Sequence, residues 1–332
     1  MKDARDMQHT FFELPKIDLH CHLDGSLTVK HVKNTLMLHT DDNMLKQKLI
    51  APFDCSSLTQ YLTCFDLPIK CLQTPDDITN SVLNLLKQAA SENVSYIEIR
   101  FAPFFSLNPN QKYSQIFEAA IEGCKLGYEL YNIHSNIISC AMRHLDPETN
   151  MTMLKSCLDY IGHGVCAIDL AGDESKYSNH LFIDFFKEVS RYNVPFTIHS
   201  GECGSTENIR LALEMGAKRV GHGIAMMKDK NLMEICKKKH LGLELCPISN
   251  YQTRALKPDE FYPLKTFLDN GLCATINTDN RTVSQTSLTK EYLFVYEKYN
   301  VCEEDFLSLY KNSVDMSFAD DNIKNNLINK VH

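Results

Sequence analysis

RVGHGIAMMKDKNLMEICKKKHLGLELCP, residues 219–247, holds one complete unit of the fold. Residues 219–224 (RVGHGI) and 241–247 (LGLELCP) are short, mainly apolar runs of the kind that form strands buried on both faces. Between them Leu232, Ile235 and Cys236 recur at helical spacing. Strand, helix and strand in about 30 residues predict a parallel pair joined by a crossover helix. The same kind of run recurs outward in both directions. Before this unit come residues 16–20 (KIDLH), 96–103 (YIEIRFAP), 136–142 (NIISCAM), 165–172 (VCAIDLAG) and 195–201 (PFTIHSG); after it comes 272–279 (LCATINTD). Helical spacing separates several of these runs. Ile78, Val82, Leu85, Leu86 and Ala89 form one apolar stripe; Ile116, Phe117, Ala120, Ile121 and Cys124 form another; residues 264–270 read as a helix stopped by Gly271.

Eight strands alternating with helices predict an α/β fold, a (β/α)8 TIM barrel, with a doubly wound open sheet as the structural alternative. Two stretches exceed what a barrel needs. Residues 26–91 are too long for one crossover and predict extra helices after strand one, over the mouth of the barrel. From residue 287 onward three helix-like pieces follow (SLTKEYLFVYEKYN, EEDFLSLYKNSVDMSF, DNIKNNLINK), the first expected to close the ring and the others to pack outside. With no internal repeat and no low-complexity linker, residues 1–332 read as a single domain.

A net charge of -8 argues against nucleic acid and anionic membrane surfaces as partners. The 13 cysteines include no CxxC pair, which excludes a zinc ribbon and a thioredoxin-like motif. The charged amino-terminal stretch is not a secretory signal, and no run of about 18 apolar residues predicts a transmembrane helix. Reduced thiols in a cytoplasm are therefore expected.

In a TIM barrel the active site lies at the carboxyl ends of the strands. Here strand one ends His20-Cys21-His22, strand five ends in His199 followed by Glu202, strand six carries His222 and strand eight ends at Asp279-Asn280. Two residues apart on a strand, His20 and His22 share a face. Three imidazoles and a carboxylate suit a divalent metal of intermediate hardness, and His20, His22, His199 and Asp279 are the natural ligand set. Such a cation makes hydroxide available near neutral pH. Glu202, beside it and partly dry, can shuttle a proton. His222 reads either as a further ligand or as a group that positions water and stabilises charge developing on oxygen.

The ordered motifs IDLHCHLDGSL, MRH, DLAGDE, HSGE, VGHG, LELCPxSN and NTDN, spanning residues 17 to 280, resemble those of the adenosine deaminase branch of the amidohydrolase superfamily. The resemblance implies one Zn2+ per chain on His20, His22, His199 and Asp279, and a neutral purine nucleoside as substrate, handled by a monomer or homodimer. It implies Glu202 as the proton donor to purine N1 and His222 and Asp279 as catalytic partners of the attacking hydroxide. It places His22, Asp24, Gly172 and Asn280 against the substrate, with Asp24 on the ribose and the Gly172 backbone near N3. Asp169 and Ser249 would support the metal site from behind. One position departs from the best-known members, which carry two adjacent aspartates where this chain has Asp279-Asn280. The second carboxyl there must be protonated to donate to purine N7; the amide of Asn280 is a donor at any pH.

The resemblance also orders the rivals. A two-metal hydrolase would carry a lysine at the end of strand four, where this chain has Ala171-Gly172-Asp173. Adenine deaminases resemble HIEG, and enzymes acting on methylated AMP resemble HLNG, where this chain has HLDG; the carboxylate of Asp24 would repel a 5′-phosphate. A barrel that had lost turnover should lack one of His199, Glu202 or Asp279, and the H-x-E…P-C-x-x-C signature of the cysteine-ligated zinc deaminases is absent.

Overall fold

The computed structural model describes residues 4–52, 55, 58–257 and 259–331. Eight parallel strands run in chain order: β1 (Lys16–His22), β2 (Val94–Phe101), β3 (His134–Met142), β4 (Val165–Ala171), β5 (Thr197–Ser200), β6 (Arg219–His222), β7 (Gly242–Leu245) and β8 (Cys273–Ile276). β1 to β4 pair as one run and β5 to β8 as another. Two seams close the ring. Ile168 N donates to Pro195 O (3.0 Å) between β4 and β5. Just past β8, His22 N donates to Asp279 O (2.7 Å) and Asp279 N to His20 O (2.8 Å). The fold is thus the expected α/β barrel. β1 reaches two residues further than residues 16–20 because Cys21 and His22 also pair with Ile99 and Arg100 of β2. Strands five to eight are only four residues each, their flanking apolar residues lying in connections.

The crossover helices bury the stripes read from sequence. In Pro75–Ala90, Ile78, Val82, Leu85, Leu86 and Ala89 all face the core, Thr74 caps the first turn by accepting from Asp77 N, and Pro75 occupies the first turn, where its missing N–H costs nothing. Between β1 and this helix the insertion forms Val29–Thr35, Asp42–Leu49, Leu58–Leu62 and Asp66–Lys70. Tyr61, Leu62, Phe65, Asp66 and Ile69 from it border the central cavity, so it covers the mouth as expected.

The carboxyl-terminal helices depart from the expected arrangement. All three pieces are helical (Leu288–Tyr299, Glu303–Met316 and Asp321–Ile328), but the second, not the first, covers the β8–β1 seam. Its Tyr310 and Val314 pack against Ile17, Leu19 and Tyr96, and Asn312 Nδ2 donates to Ala274 O of β8 (2.9 Å). Leu288–Tyr299 lies instead on an unanticipated amino-terminal helix, Ala4–Glu13, where Phe11 meets Tyr292 and Tyr296 edge-on. Met7 and Phe11, one turn apart, supply that helix with a buried face that two apolar residues in a charged segment scarcely advertise.

Candidate active site

Side chains in β1 and around β8 lock the two ends of the barrel together. Asp18 accepts from Thr278 Oγ1 (2.6 Å) and Thr278 N (3.3 Å), and Leu19 N donates to Asn277 Oδ1 (2.8 Å). This clasp sets His20 and His22 beside Asp279. His199 arrives from β5, and one donor atom from each of His20, His22, His199 and Asp279 lies within 4.8 Å of every other. A cation bound tetrahedrally at about 2 Å holds its donors about 3.3 Å apart. Here His22 Nε2 stands 3.2 Å from His199 Nε2, and Asp279 Oδ1 stands 3.3 Å from His20 Nε2 and 3.5 Å from His22 Nε2. The buried Nε2 of His20 has no hydrogen-bond partner. Converging lone pairs at this spacing are what a divalent metal satisfies, so the residues fit one.

Carboxylates behind the ring select which nitrogen faces the metal position. His20 Nδ1 donates to Glu244 Oε2 (2.8 Å), and His199 Nδ1 meets Asp169 Oδ2 at 3.0 Å. Each partner holds the ring proton on Nδ1 and leaves the Nε2 lone pair free. Arg100, fully buried on β2, joins the two carboxylates, donating from Nη1 to Asp169 Oδ2 (3.0 Å) and from Nη2 to Glu244 Oε2 (2.9 Å) and Leu19 O (2.6 Å). Arg219 on β6 donates from Nε to the other oxygen of Glu244 (2.6 Å) and from Nη2 to Glu98.

Burial, with Arg100 nearby, lowers the pKa of His20, and burial with His199 and His20 as neighbours takes His22 well below its usual value. Both shifts favour the neutral ring that ligation requires. Burial opposes charge on Asp279 too, yet the close approach of His20 Nε2 (3.3 Å) and the imidazoles beside it hold it well below the carboxylate range. At His199 burial is outweighed by Asp169, which raises the pKa, so there a metal must displace a favoured proton.

Glu202 and His222 face each other beside this cluster, with Glu202 Oε2 3.5 Å from His222 Nε2. One short segment touches three of the groups singled out from sequence. From the helix Pro247–Gln252, Ser249 Oγ donates to Asp279 Oδ2 (2.5 Å) and Asn250 Nδ2 donates to His222 Nδ1 (2.9 Å); Thr253, which ends it, donates from Oγ1 to Glu202 Oε1 (3.1 Å). Glu174 frames Glu202 from the other side, its carboxylate accepting from the N–H groups of Gly201 (2.6 Å) and Cys203 (2.9 Å). His222 and Asp279 both adopt left-handed backbone (φ 62° and 57°), uncommon outside glycine but tolerated by Asp and His better than by most residues.

A cavity of about 400 Å³, within the range usual for small-molecule sites, opens over the cluster. Its walls include His22, Asp24, Gly172, His199, Glu202, His222, Asp279 and Asn280, so the residues expected at the substrate are brought together. Asp169 and Ser249 lie behind the ligands they contact. Asp24 is half-buried, and burial pushes its carboxyl up to about 6. Asn280 Nδ2 donates to Tyr61 OH (3.0 Å), and its Oδ1 packs where a side chain at Gly25 would collide with it. That close approach explains the glycine of HLDG.

Sequence reasoning missed several residues here. Glu244 and Arg100 carried a signal, as charges inside apolar strand runs. Glu174 lies within the quoted DLAGDE, and Asn250 within LELCPxSN. Tyr61 had none, since nothing local tells which insertion residue meets Asn280. His144, the last residue of the MRH motif, borders the cavity stacked on Phe105 (centroids 6.0 Å, 13° between planes).

Three imidazoles and an aspartate at the carboxyl ends of a closed parallel barrel, with a glutamate across from them, define a metal-binding barrel of the hydrolytic type. The family model for adenosine deaminase matches residues 15–332, and the chain belongs to that family. It is 37% identical over 324 residues to an adenosine deaminase of Enterococcus faecalis, covering 96% of each protein. Its fold superposes on adenine deaminase from Arthrobacter aurescens (TM-score 0.87, 22% identity, 96% and 98% of the two chains). It also superposes on an amidohydrolase from Burkholderia ambifaria solved with bound Zn (TM-score 0.88, 19% identity, 99% and 92%).

Proposed function

We propose that residues 1–332 act as one domain that hydrolyses adenosine and 2′-deoxyadenosine to inosine and 2′-deoxyinosine with release of ammonia, using one zinc ion per chain. The observation that carries this reading is the placing of Glu202 and His222 beside the three imidazoles and Asp279 in one small cavity. His20, His22, His199 and Asp279 would hold the ion; when bound, zinc lowers the pKa of water so that hydroxide is available near neutral pH.

The chain's own groups then have distinct tasks. Glu202 gives a proton to purine N1, which leaves C6 electron-poor. Asp279 takes a proton from the attacking water, and His222 stabilises negative charge on the oxygen arriving at C6. Of water's two protons, one leaves with ammonia and the other replaces the one Glu202 gave to N1. Asp24 binds the ribose and disfavours a 5′-phosphate, the Gly172 backbone lies near N3, and Asn280 donates to N7. The activity belongs to purine salvage or catabolism. The 13 free thiols, most of them buried, suit a reducing cytoplasm. Among the described residues no helix is long and apolar enough to cross a membrane. A monomer or homodimer is the proposed state.

The decisive experiment follows the ultraviolet change as adenosine becomes inosine, with 2′-deoxyadenosine, adenine and AMP in parallel, before and after chelation. Turnover of the two nucleosides, lost on chelation and restored by zinc, is expected. Preferred turnover of adenine or AMP, or turnover indifferent to chelation, would overturn the reading. For Asn280, replacement by Leu should lower kcat/KM about 10-fold, as loss of one buried hydrogen bond does. A 7-deaza analogue, which lacks N7, should show no such loss; unchanged kinetics with adenosine itself would remove Asn280 from the base contact.

A further inference from the structure

We infer that Asn250 and Tyr262 are positioning residues that keep the ring proton of His222 on Nε2, which makes this imidazole a hydrogen-bond donor to the cavity instead of a fourth histidine ligand. The catalytic part of this inference rests on the role proposed above for His222; the tautomer itself does not.

The ring of His222 lies among the metal-site histidines, its centroid 5.1 Å from that of His20 and 5.4 Å from that of His199. Ring spacing therefore does not separate it from the ligands, although its nitrogens lie outside the set of donor atoms that His20, His22, His199 and Asp279 bring within 4.8 Å of one another; its Nδ1 partner adds the chemical reason. His20 and His199 each turn Nδ1 toward a carboxylate, which accepts the proton there and frees Nε2 as a lone pair. His222 turns Nδ1 toward Asn250 Nδ2 at 2.9 Å. An amide NH2 only donates, so Nδ1 must be the lone pair and Nε2 must carry the hydrogen. An Nε2–H cannot ligate a metal, but it can donate to an oxygen at C6.

Tyr262 settles which end of the Asn250 amide faces the ring. Its fully buried hydroxyl donates to Asn250 Oδ1 at 2.9 Å, and among the described residues that oxygen is the phenol's one hydrogen-bond partner. Rotating the amide by half a turn would leave the phenolic proton buried without an acceptor, a cost that fixes the amide as it stands. Asn250 is itself fully buried and held by its backbone, its N–H donating to Cys246 O (2.9 Å) and its carbonyl accepting from Leu256 N (3.1 Å). The result is a one-way chain of donors from Tyr262 through Asn250 and His222 to the cavity.

The test reads the tautomer directly. In uniformly 15N-labelled protein, zinc-loaded and metal-free, long-range 1H–15N correlations from the ring carbons' protons distinguish Nδ1–H from Nε2–H; the His222 pattern is assigned by its disappearance in His222→Gln. The Nε2–H pattern is expected in the wild type, and an Nδ1–H pattern there overturns the inference. Asn250→Asp keeps the shape but puts an acceptor against Nδ1. It should move the ring proton to Nδ1 and lower kcat roughly 10- to 100-fold, the usual range for partners behind a metal site, with KM little changed. Tyr262→Phe, which leaves the amide free to turn, should give mixed tautomers and a loss of about 10-fold. If both variants fold and leave spectrum and kcat unchanged, the inference fails; should Asn250→Asp not fold, Tyr262→Phe and the wild-type spectrum decide. An Nε2–H pattern in a protein that does not deaminate adenosine supports the tautomer assignment and overturns only the proposed substrate.

Discussion

Replacing Glu202 by Gln is expected to lower kcat for adenosine roughly 100- to 10,000-fold, the range that a positioned general acid supplies. That is about 3–5 kcal/mol of transition-state stabilisation. The substitution is nearly isosteric. One oxygen of Glu202 accepts from Thr253 Oγ1, and the amide oxygen of Gln can accept the same bond. The backbone on either side stays clamped by Glu174, and none of the four proposed ligands bonds to Glu202, so zinc content and unfolding temperature should be close to wild type. What the amide cannot do is give a proton to N1 and recover one later. A binding role would instead raise KM and spare kcat. Metal analysis, a melting curve and steady-state kinetics on one preparation separate the cases, and near-normal kcat in a zinc-replete variant contradicts the assignment.

Much of this site was legible because strand ends are conspicuous. Short apolar runs stand out when both faces of a strand are covered, and His20, His22, His199, His222 and Asp279 are polar residues where such runs end. Their convergence followed from the barrel, since eight parallel strands gather their carboxyl ends around one mouth. Contacts made through space by residues inside runs or loops were not legible. The helix Ala4–Glu13 is anchored by two apolar side chains in a charged segment, and Leu288–Tyr299 packs on it while Glu303–Met316 covers the seam. Tyr61 meets Asn280 only because the insertion folds back 219 residues from its partner. Asn250 sits in a motif that was read, yet its bond to His222 depends on the path of the chain after β7.

The barrel interior itself departs from the usual filling by branched aliphatic side chains. Beneath the metal position Arg100 and Arg219 lie between Glu98, Asp169 and Glu244, all fully buried. Two guanidiniums against three carboxylates leave the network one positive charge short, and Asp279 adds another carboxylate above it. A divalent cation at the histidines would make up the difference. The same carboxylates that set the tautomers of His20 and His199 thus raise the site's affinity for a cation through their charge.

Arg100 tests that coupling most severely, because it touches both carboxylates at once. Replacing it by Met keeps the length and removes the charge, leaving Asp169 and Glu244 buried with less compensation. Breaking one side of a buried ion pair costs about 3–5 kcal/mol, a large part of the stability of a typical domain. Asp169, now held below the carboxylate range against burial by His199 and Arg100, loses one of the two charges that keep it ionised. Glu244 loses its largest source of stabilisation, although Arg219 remains. Protonation of either carboxyl, or rotation away from its histidine, frees the Nδ1 proton and misdirects an Nε2 lone pair, so metal affinity should fall by 10- to 100-fold or more. Zinc should then rescue the unfolding temperature only at raised concentration, because the metal stabilises by mass action. Arg100→Lys separates charge from geometry: a single ammonium cannot reproduce the two-armed grip on Asp169 and Glu244. It should recover part of the stability and less of the metal affinity. Zinc titrations of the metal-free proteins, read by competition with a chelator of known affinity, measure this. Wild-type zinc affinity in a folded Arg100→Met protein would mean that the carboxylates hold the two histidines unaided and that the buried charge network serves only the fold.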